Sequence, residues 1–243
     1  MAQLFAGTSG FAYPQWKPRF YPEDVPQKRF LEHYATRLNA VEINYTFRRM
    51  PAAATLAGWA GATPAGFVFA MKAHQQITHF RKLKDAGEPT RFFLEALEPL
   101  RSAGRLGPVL FQLPPHLRCD VALLREYLTL LPDDVRAAFE FRHESWLSEP
   151  VYQLLRERNV ALCVAESDRL TVPEVVTADF VYFRLRKPEY TADEVATMRA
   201  RAEALVAGGK DVLVFFKHEE TPEGALCAEQ LLRASAVPGL EAT

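Results

Sequence analysis

The chain has 243 residues, of which 49% are hydrophobic, so it is long and apolar enough to bury a sizeable core. Its 29 lysines and arginines nearly balance its 30 aspartates and glutamates. The formal net charge of −1 excludes a global attraction to nucleic acid or to anionic membranes, so any such attraction must come from a local patch.

Sparse cysteines and the lack of long apolar runs indicate the cellular setting. Cys119, Cys163 and Cys227 form no CxxC pair, which is typical of reduced thiols in a cytosolic protein. The first residues lack a basic segment followed by a long apolar stretch, so we expect no signal peptide. No apolar run reaches the roughly 18 residues that span a bilayer. We therefore expect a cytoplasmic protein with no membrane partner, and the sequence leaves its oligomeric state open.

Short apolar runs recur eight times along the chain and are separated by stretches that mostly have helical spacing. Several runs end in a charged or amide residue followed by a loop, which is typical of a (β/α)8 barrel of the TIM type, where the strand tips form the ligand site. No Gly/Ser-rich linker interrupts the chain, so residues 1–243 are predicted to form a single domain. The predicted strands are Leu4–Thr8, Ala40–Ile43, Phe67–Lys72, Val109–Gln112, Ala137–Phe141, Ala161–Ala165, Phe180–Leu185 and Val212–Phe216.

Capping signals mark the helices between these runs. Ser148 is expected to cap one helix, and Thr191 with Glu194 fits a capping box for another. The connection from residue 167 to residue 179 is too short for a full helix, so we expect one helix to be missing between the sixth and seventh strands. The polar loop 73–89 is long, which is typical of a binding loop or lid.

Side-chain parity along each strand predicts which residues face the barrel mouth. Phe139 and Phe141 share one parity and are expected to face the helices, which leaves Glu140 and Arg142 pointing inward. The same argument places Tyr182 and Arg186 inward with Arg184, whereas the parity of Lys217 is less certain because both faces of its strand are apolar. The predicted inward polar set is Glu42, Asn44, Lys72, Gln112, Glu140, Arg142, Arg184 and Lys217.

Four cations and two anions in this set leave an excess of about two positive charges. An isolated buried charge is costly, so ion pairs are expected, and the excess favours a small anionic ligand such as a phosphate or carboxylate. The alternative is that the pairs only fix the barrel. The candidate substrate-binding residues are Arg142, Arg184, Lys217, Lys72, Gln112 and Asn44. The candidate acids, bases or orienting partners are Glu140, Glu42, His79 and His74, with both histidines in the long loop.

The first loop is crowded with aromatic residues and prolines. These rings either cover the barrel rim as a plug or stack on a sugar or base, and Tyr13 and Trp16 are the best substrate-binding candidates. The preceding segment, residues 7–10, reads Gly-Thr-Ser-Gly, which could cradle an oxyanion or form a plain turn.

Neither a metal nor a nucleic acid is the favoured partner. The six histidines form no HExxH or similar motif, so we predict no cofactor, with a divalent metal held by residues from several strand ends as the less favoured alternative. Arg48, Arg49, Arg81 and Lys82 could form a basic rim for nucleic acid, although such loop charge is usually solvated surface.

Several blocks of the chain together resemble the YecE-like family, also called domain of unknown function 72. They cover essentially the whole chain in order. The matching blocks are 7–11 with Tyr13 and Trp16, 20–22, 41–44 with 46–47, 67–72, 77–79, 110–115, and 140–143 with 145–146.

Two positions depart from the family pattern. Arg186-Lys187 stand where many members have His-Gly, and Lys217-His218 stand where many have Asn-Asn, so the last strand tips are more cationic here. The resemblance implies a TIM-barrel-like fold without an established activity. It also implies a likeness to barrels of sugar isomerases and apurinic-site endonucleases, which use metals, at the level of fold alone.

These observations favour an enzyme acting on a small phosphorylated or carboxylated metabolite, such as a sugar or nucleotide derivative. Two alternatives stay open. The first is a protein that binds nucleic acid or processes phosphodiesters, and the second is a ligand-binding protein without catalysis.

Overall fold

Eight parallel strands close into one barrel in the computed structural model, which describes residues 1–217 and 220–234. Each strand pairs with its neighbours in sequence, and β8 pairs with β1 to complete the ring. The predicted TIM-type barrel is therefore confirmed. The strands are β1 (Leu4–Ser9), β2 (Ala40–Ile43), β3 (Val68–Lys72), β4 (Leu106–Gln112), β5 (Ala137–Glu140), β6 (Ala161–Ala165), β7 (Phe180–Leu185) and β8 (Asp211–Phe216).

Helices surround the barrel, and the gap expected between β6 and β7 is present, because residues 166–179 contain no helix. In that connection the Thr177 hydroxyl donates to the carbonyl of Val160 and accepts from the amide of Leu162, so one side chain ties the short crossover to β6. The α-helices are α1 (Phe30–Ala35), α2 (Ala53–Gly61), α3 (Gly87–Ala96), α4 (Glu98–Ser102), α5 (Val121–Leu128), α6 (Glu149–Glu157), α7 (Ala192–Ala207) and α8 (Glu223–Ala234).

The two predicted caps have different outcomes. Thr191 and Glu194 form both bonds of the capping box at the start of α7, as predicted. Ser148 precedes α6, but its side chain makes no capping bond. Pro150 lies in the first turn of α6, where a backbone N–H would have no partner within the helix, so the lack of an N–H on proline loses no helical hydrogen bond. Within residues 1–217 and 220–234, no helix has the combination of length and apolar character that crossing a bilayer requires.

Alternate residues of the strands fill two separate cores. Outward residues such as Val41, Phe111 and Phe139 pack beneath the helices. Inward residues fill the lower barrel, where Phe5, Phe180 and other large side chains pack against alanines of the facing strands. Polar inward residues are thereby confined to the carboxyl ends of the strands, which is the mouth of the barrel.

Gly7 lets β1 approach β2 closely just below the mouth. A Cβ at this position would overlap the carbonyl oxygen of Ala40 and lie 2.8 Å from the Tyr34 hydroxyl. Gly7→Ala is therefore expected to lower the free energy of unfolding by about 3 kcal/mol, the upper end of the usual range for overpacking. Urea unfolding measures the change.

Gly58, in the exposed part of α2, supplies the matched control for Gly7, because an added Cβ there meets no atom within 4 Å. Gly58→Ala is expected to raise the free energy of unfolding by about 0.5–1 kcal/mol. Equal losses in the two variants would contradict the close approach of β1 and β2.

Candidate functional site

Arg184, near the end of β7, occupies the centre of the polar mouth. Its side chain is 2% exposed, and its Nη2 donates to Glu42 Oε1 at 2.6 Å while its Nη1 donates to Glu140 Oε2. The two carboxylates lie on β2 and β5, so one guanidinium links three strands that are not neighbours. Its terminal nitrogens are occupied by these carboxylates, which places Arg184 as a bridge beneath the mouth instead of a direct ligand contact.

Glu42 is fully buried, and its carboxylate oxygens accept hydrogen bonds from several neighbouring side chains. Besides Arg184, it accepts hydrogen bonds from the hydroxyls of Ser9 at 2.7 Å and Tyr182 at 2.8 Å, and from Asn44 Nδ2 at 3.2 Å. A buried carboxylate that receives this many donors is stable in its charged form.

Glu140 is shared by three guanidiniums. Arg142 Nε donates to its Oε1 at 2.8 Å, and Arg186 Nη2 lies 3.0 and 3.2 Å from its two oxygens, in addition to the bond from Arg184. Unlike Arg184, the side chains of Arg142 and Arg186 remain 33% and 22% exposed. Glu140 therefore holds two arginines at the solvent side of the mouth.

The charges of these arginines control the protonation of both carboxylates. Burial, the largest single influence, would raise the pKa values, but the charge and hydrogen bonds of Arg184 together with the hydrogen bonds of Ser9 and Tyr182 lower the pKa of Glu42. Arg184, Arg186 and Arg142 together lower the pKa of Glu140 to about 2. Both groups are ionised at neutral pH, which suits the orienting role expected for them better than proton transfer.

Lys72 ends β3, the strand that pairs with β2 and therefore lies next to the strand of Glu42. Its Nζ donates to Gln112 Oε1 at 2.8 Å and lies 4.3 Å from the centroid of the Phe47 ring. Burial, with the positive charge of Arg184 next in size, lowers the pKa of Lys72 to about 8. Lys72 is therefore a group of the mouth that can change its protonation near neutral pH.

His79 packs against the same ring. Its imidazole lies edge-on to Phe47 with centroids 4.8 Å apart, and its Nδ1 is 2.9 Å from the Thr78 hydroxyl. Burial lowers its pKa, and the charges of Lys72 and Arg142 lower it further. A partly exposed imidazole thus lies beside the amine.

His74 lies away from this cluster and connects two loops. Its Nε2 is 3.2 Å from the carbonyl oxygen of Arg48, and its Nδ1 accepts from the amide of Gln76. The structure therefore places it as a tie between the loops that follow β2 and β3.

The remaining predicted site residues separate into different environments. Lys217 is exposed and lines a hollow with Arg19 and Glu223, away from the ion pairs. Trp16 is fully buried in the plug of the first loop, with ring centroids 5.5 Å from Phe20, so its ring presents no surface to the mouth in this structure. His218 lies outside the described residues.

Tyr13 is partly exposed and borders a cavity of about 590 Å³ beside the mouth. Its hydroxyl donates to the carbonyl oxygen of Ser9 at 2.8 Å. Ser9 and Asn44, which both bond Glu42, form part of the cavity wall, so the cavity is continuous with the ion-pair cluster. Its aromatic lining comes from Phe11, Tyr13, Tyr45 and Trp59.

Three residues that bond Glu42 or Glu140, namely Ser9, Tyr182 and Arg186, were not among the site residues predicted from the sequence. Arg186 and Tyr182 share the inward parity of Arg184, and that signal already pointed to both of them. Ser9 lies one residue beyond the predicted first strand, and its pairing with Glu42 in the register of β1 and β2 puts it at the mouth.

The donor set at the mouth does not fit a divalent cation. Within the described ranges, no three histidine, cysteine, aspartate or glutamate side chains come together as metal ligands. Glu42 and Glu140, the acidic groups that such an ion would need, are both occupied by guanidinium groups.

An eight-stranded parallel barrel with a polar cluster at the carboxyl ends of its strands defines a protein of the TIM-barrel class. The chain matches the family described as "Protein of unknown function DUF72" over residues 5–241 and belongs to that family. This confirms the resemblance seen in the sequence.

Known relatives agree with the assignment. The DUF72 family protein of Thermotoga maritima MSB8 superimposes with a TM-score of 0.84 at 27% identity, over 96% of this chain and 99% of that chain. The UPF0759 protein YunF of Bacillus subtilis is 31% identical over 140 residues, which are 55% of this chain and 49% of the relative. The chain thus matches about half the length of that curated relative.

A more distant structure shares the fold alone. AP endonuclease, family 2, from Brucella melitensis has a TM-score of 0.51 at 12% identity, over 90% of this chain and 93% of that chain. The family resemblance in the sequence implied a fold similar to that of apurinic-site endonucleases, and this superposition confirms the similarity of fold.

Glu140→Gln is expected to lower the free energy of unfolding by about 3–5 kcal/mol at neutral pH, because it leaves three guanidiniums around an uncharged amide. The matched control is Glu149→Gln, which breaks the exposed pair between Arg156 and Glu149 and should cost at most about 1 kcal/mol. Urea unfolding of both variants measures the difference, and equal costs would contradict the bridging role of Glu140.

Acid should weaken the fold through the same group. The pKa of Glu140 is about 2 in the folded protein and near ~4.3 in an unfolded chain. The unfolded state therefore binds more protons between these values, so the stabilisation is complete above the unfolded pKa and is lost as the pH falls towards about 2. Unfolding at a series of acidic pH values should show a steeper loss in the wild type than in Glu140→Gln, and parallel curves would contradict this.

Proposed function

We propose that the mouth of the barrel binds a small anionic metabolite, a phosphate ester or a carboxylate, and that the protein is an enzyme acting on it. The observation that carries the proposal is the charge imbalance of the cluster. The inward side chains of the strand ends comprise four cations and two carboxylates, an excess of about two positive charges, while the nearby carboxylate of Glu166 is bonded to Tyr190 and to the backbone amides of Arg186 and Lys187. The cations are Arg142, Arg184, Arg186 and Lys72.

Arg142 and Arg186 have donors to spare for an anion. Arg142 uses only Nε on Glu140, and its two terminal NH2 groups make no hydrogen bond to the described part of the chain. Among the described residues, the side chain of Arg186 bonds the same carboxylate through Nη2, its Nε is buried, and its Nη1 makes no hydrogen bond. Glu140 thus orients both guanidiniums and leaves the two terminal groups of Arg142 and Nη1 of Arg186 for a phosphate or carboxylate.

The adjoining cavity offers room for the rest of such a molecule. Its volume of about 590 Å³ falls within the range of small-molecule sites. Its aromatic lining suits a sugar or a planar ring, and Asn44 in its wall supplies an amide that reaches the ion-pair cluster.

Lys72 and His79 support the enzymatic part of the proposal. Both are partly exposed groups at the mouth with lowered pKa values, so Lys72 loses its proton more readily than an ordinary lysine and His79 is a neutral imidazole at pH 7 that can accept a proton. Glu42 and Glu140 hold the arginines in place and do not take part in proton transfer.

A second candidate, binding of a nucleic acid strand, has one observation in its favour. Tyr45 and Phe80 are 53% and 63% exposed on the loops after β2 and β3, which also carry Arg49 and Arg81. Exposed rings beside basic residues can stack on bases while the cations contact phosphates.

Thermal unfolding with inorganic phosphate and with 3-phosphoglycerate tests the first candidate. At 100 times Kd, binding adds about 2.7 kcal/mol, or a rise in Tm of roughly 5–10 °C for a domain of this size. Arg142→Gln should raise Kd at least about tenfold, because it removes charge-assisted bonds worth about 1.5–3 kcal/mol.

Arg156→Gln is the matched control, because Arg156 lies on α6 in an exposed ion pair and should leave the shift unchanged. No shift with either probe would contradict the proposal. A stronger response to a single-stranded oligonucleotide, with steep dependence on salt, would favour the second candidate.

A further inference from the structure

Lys72 differs from the three arginines of the mouth in its contacts. Arg142, Arg184 and Arg186 each form an ion pair with Glu42 or Glu140. Within the described residues Lys72 forms no ion pair, and its Nζ contacts the amide oxygen of Gln112 and the face of Phe47. Glu42 and Glu140 are bonded to guanidiniums and act on the lysine only through their charges.

This environment makes the amine easier to deprotonate than an ordinary lysine. Burial and the charge of Arg184 disfavour the ammonium more than the charges of Glu140 and Glu42 favour it, and the pKa of Lys72 is lowered to about 8. Gln112 Oε1 can accept a hydrogen bond from an NH2 group as well as from an NH3+ group. A partly buried lysine beside other cations is the usual form of an activated amine nucleophile.

The neighbouring groups suit attack on a bound carbonyl compound. Lys72 is the last residue of β3, and Arg142 and Arg186 follow β5 and β7, so the amine and the two partly exposed guanidiniums lie at the same mouth. His79 packs on the Phe47 ring that Lys72 covers, which puts an imidazole beside the amine. An anion held by the arginines would bring the carbon next to it towards Nζ.

We propose that Lys72 forms an imine with an aldehyde or ketone that carries a phosphate or carboxylate, the anionic group being held by Arg142 and Arg186. This rests on the proposed function and narrows its substrate class to carbonyl compounds.

The step balances without a further reagent. The ammonium of Lys72 first releases a proton, and the freed electron pair of Nζ bonds to the carbonyl carbon while the C=O π pair moves to oxygen. The oxygen takes up two protons and leaves as water as the nitrogen pair forms the C=N bond. Two of the three ammonium protons end in that water and the third remains on the iminium nitrogen, so no net proton is gained or lost.

Reductive trapping tests the proposal. The full chain is incubated with pyruvate or with dihydroxyacetone phosphate and then with sodium cyanoborohydride, whose hydride converts the iminium into a stable secondary amine. Mass spectrometry should find one adduct, with the mass of the probe less one oxygen atom, and peptide mapping should place it on Lys72. No adduct on Lys72 with either probe, or equal labelling of exposed lysines, would overturn the proposal.

Two variants serve as controls. Lys72→Arg keeps the positive charge and should abolish the adduct while the thermal shift with inorganic phosphate persists. Lys210→Met removes a partly exposed lysine just before β8, at the far end of the barrel, and should leave the adduct unchanged.

The two proposals fail in different ways. Trapping that persists in Lys72→Arg overturns the imine at Lys72. A phosphate shift in the wild type without trapping overturns the imine but leaves anion binding intact, whereas loss of the phosphate shift in the wild type rejects the anion site itself.

Discussion

The guanidinium of Arg184 joins β2, β5 and β7 across the inside of the barrel by bonding Glu42 and Glu140, and it has almost no contact with solvent. The lower barrel is packed with apolar side chains, so three charges at this depth are tolerated because they are paired and hydrogen-bonded, and Arg142 and Arg186 offset the second carboxylate from above. Ser9 and Tyr182 complete the bonding of Glu42. The bridge therefore fixes the carboxyl ends of these strands and with them the shape of the mouth.

The same bridge determines what the mouth can do. Because Arg184 keeps both glutamates ionised, Glu140 can hold Arg142 and Arg186 in place, and both of these side chains stay partly exposed. Among the described residues Lys72 forms no ion pair, and burial with the charge of Arg184 lowers its pKa to about 8. The proposed anion site and the proposed imine at Lys72 thus share one structural origin, the way the inward arginines and this lysine are arranged around Glu42 and Glu140.

The barrel and most of the cluster could be predicted from the sequence because strand parity is strictly local. Alternation alone placed Glu42, Glu140 and Arg184 inward, and all three meet at the mouth. Parity cannot say how deep a long side chain lies, so the sealing of Arg184 by two carboxylates was not predictable. The burial of Trp16 and the position of Lys217 depend on how the loops after β1 and β8 pack, and the alternation of residues along a strand does not predict loop packing.

The most direct measurement of the central claim is the anomalous scattering of selenate, a tetrahedral dianion, in crystals of this protein. The account predicts selenate bound to the terminal nitrogens of Arg142 and Arg186, above an intact bridge from Glu42 through Arg184 to Glu140. Selenate elsewhere with the mouth empty, or the side chain of Arg184 turned out from between the two carboxylates, would contradict it.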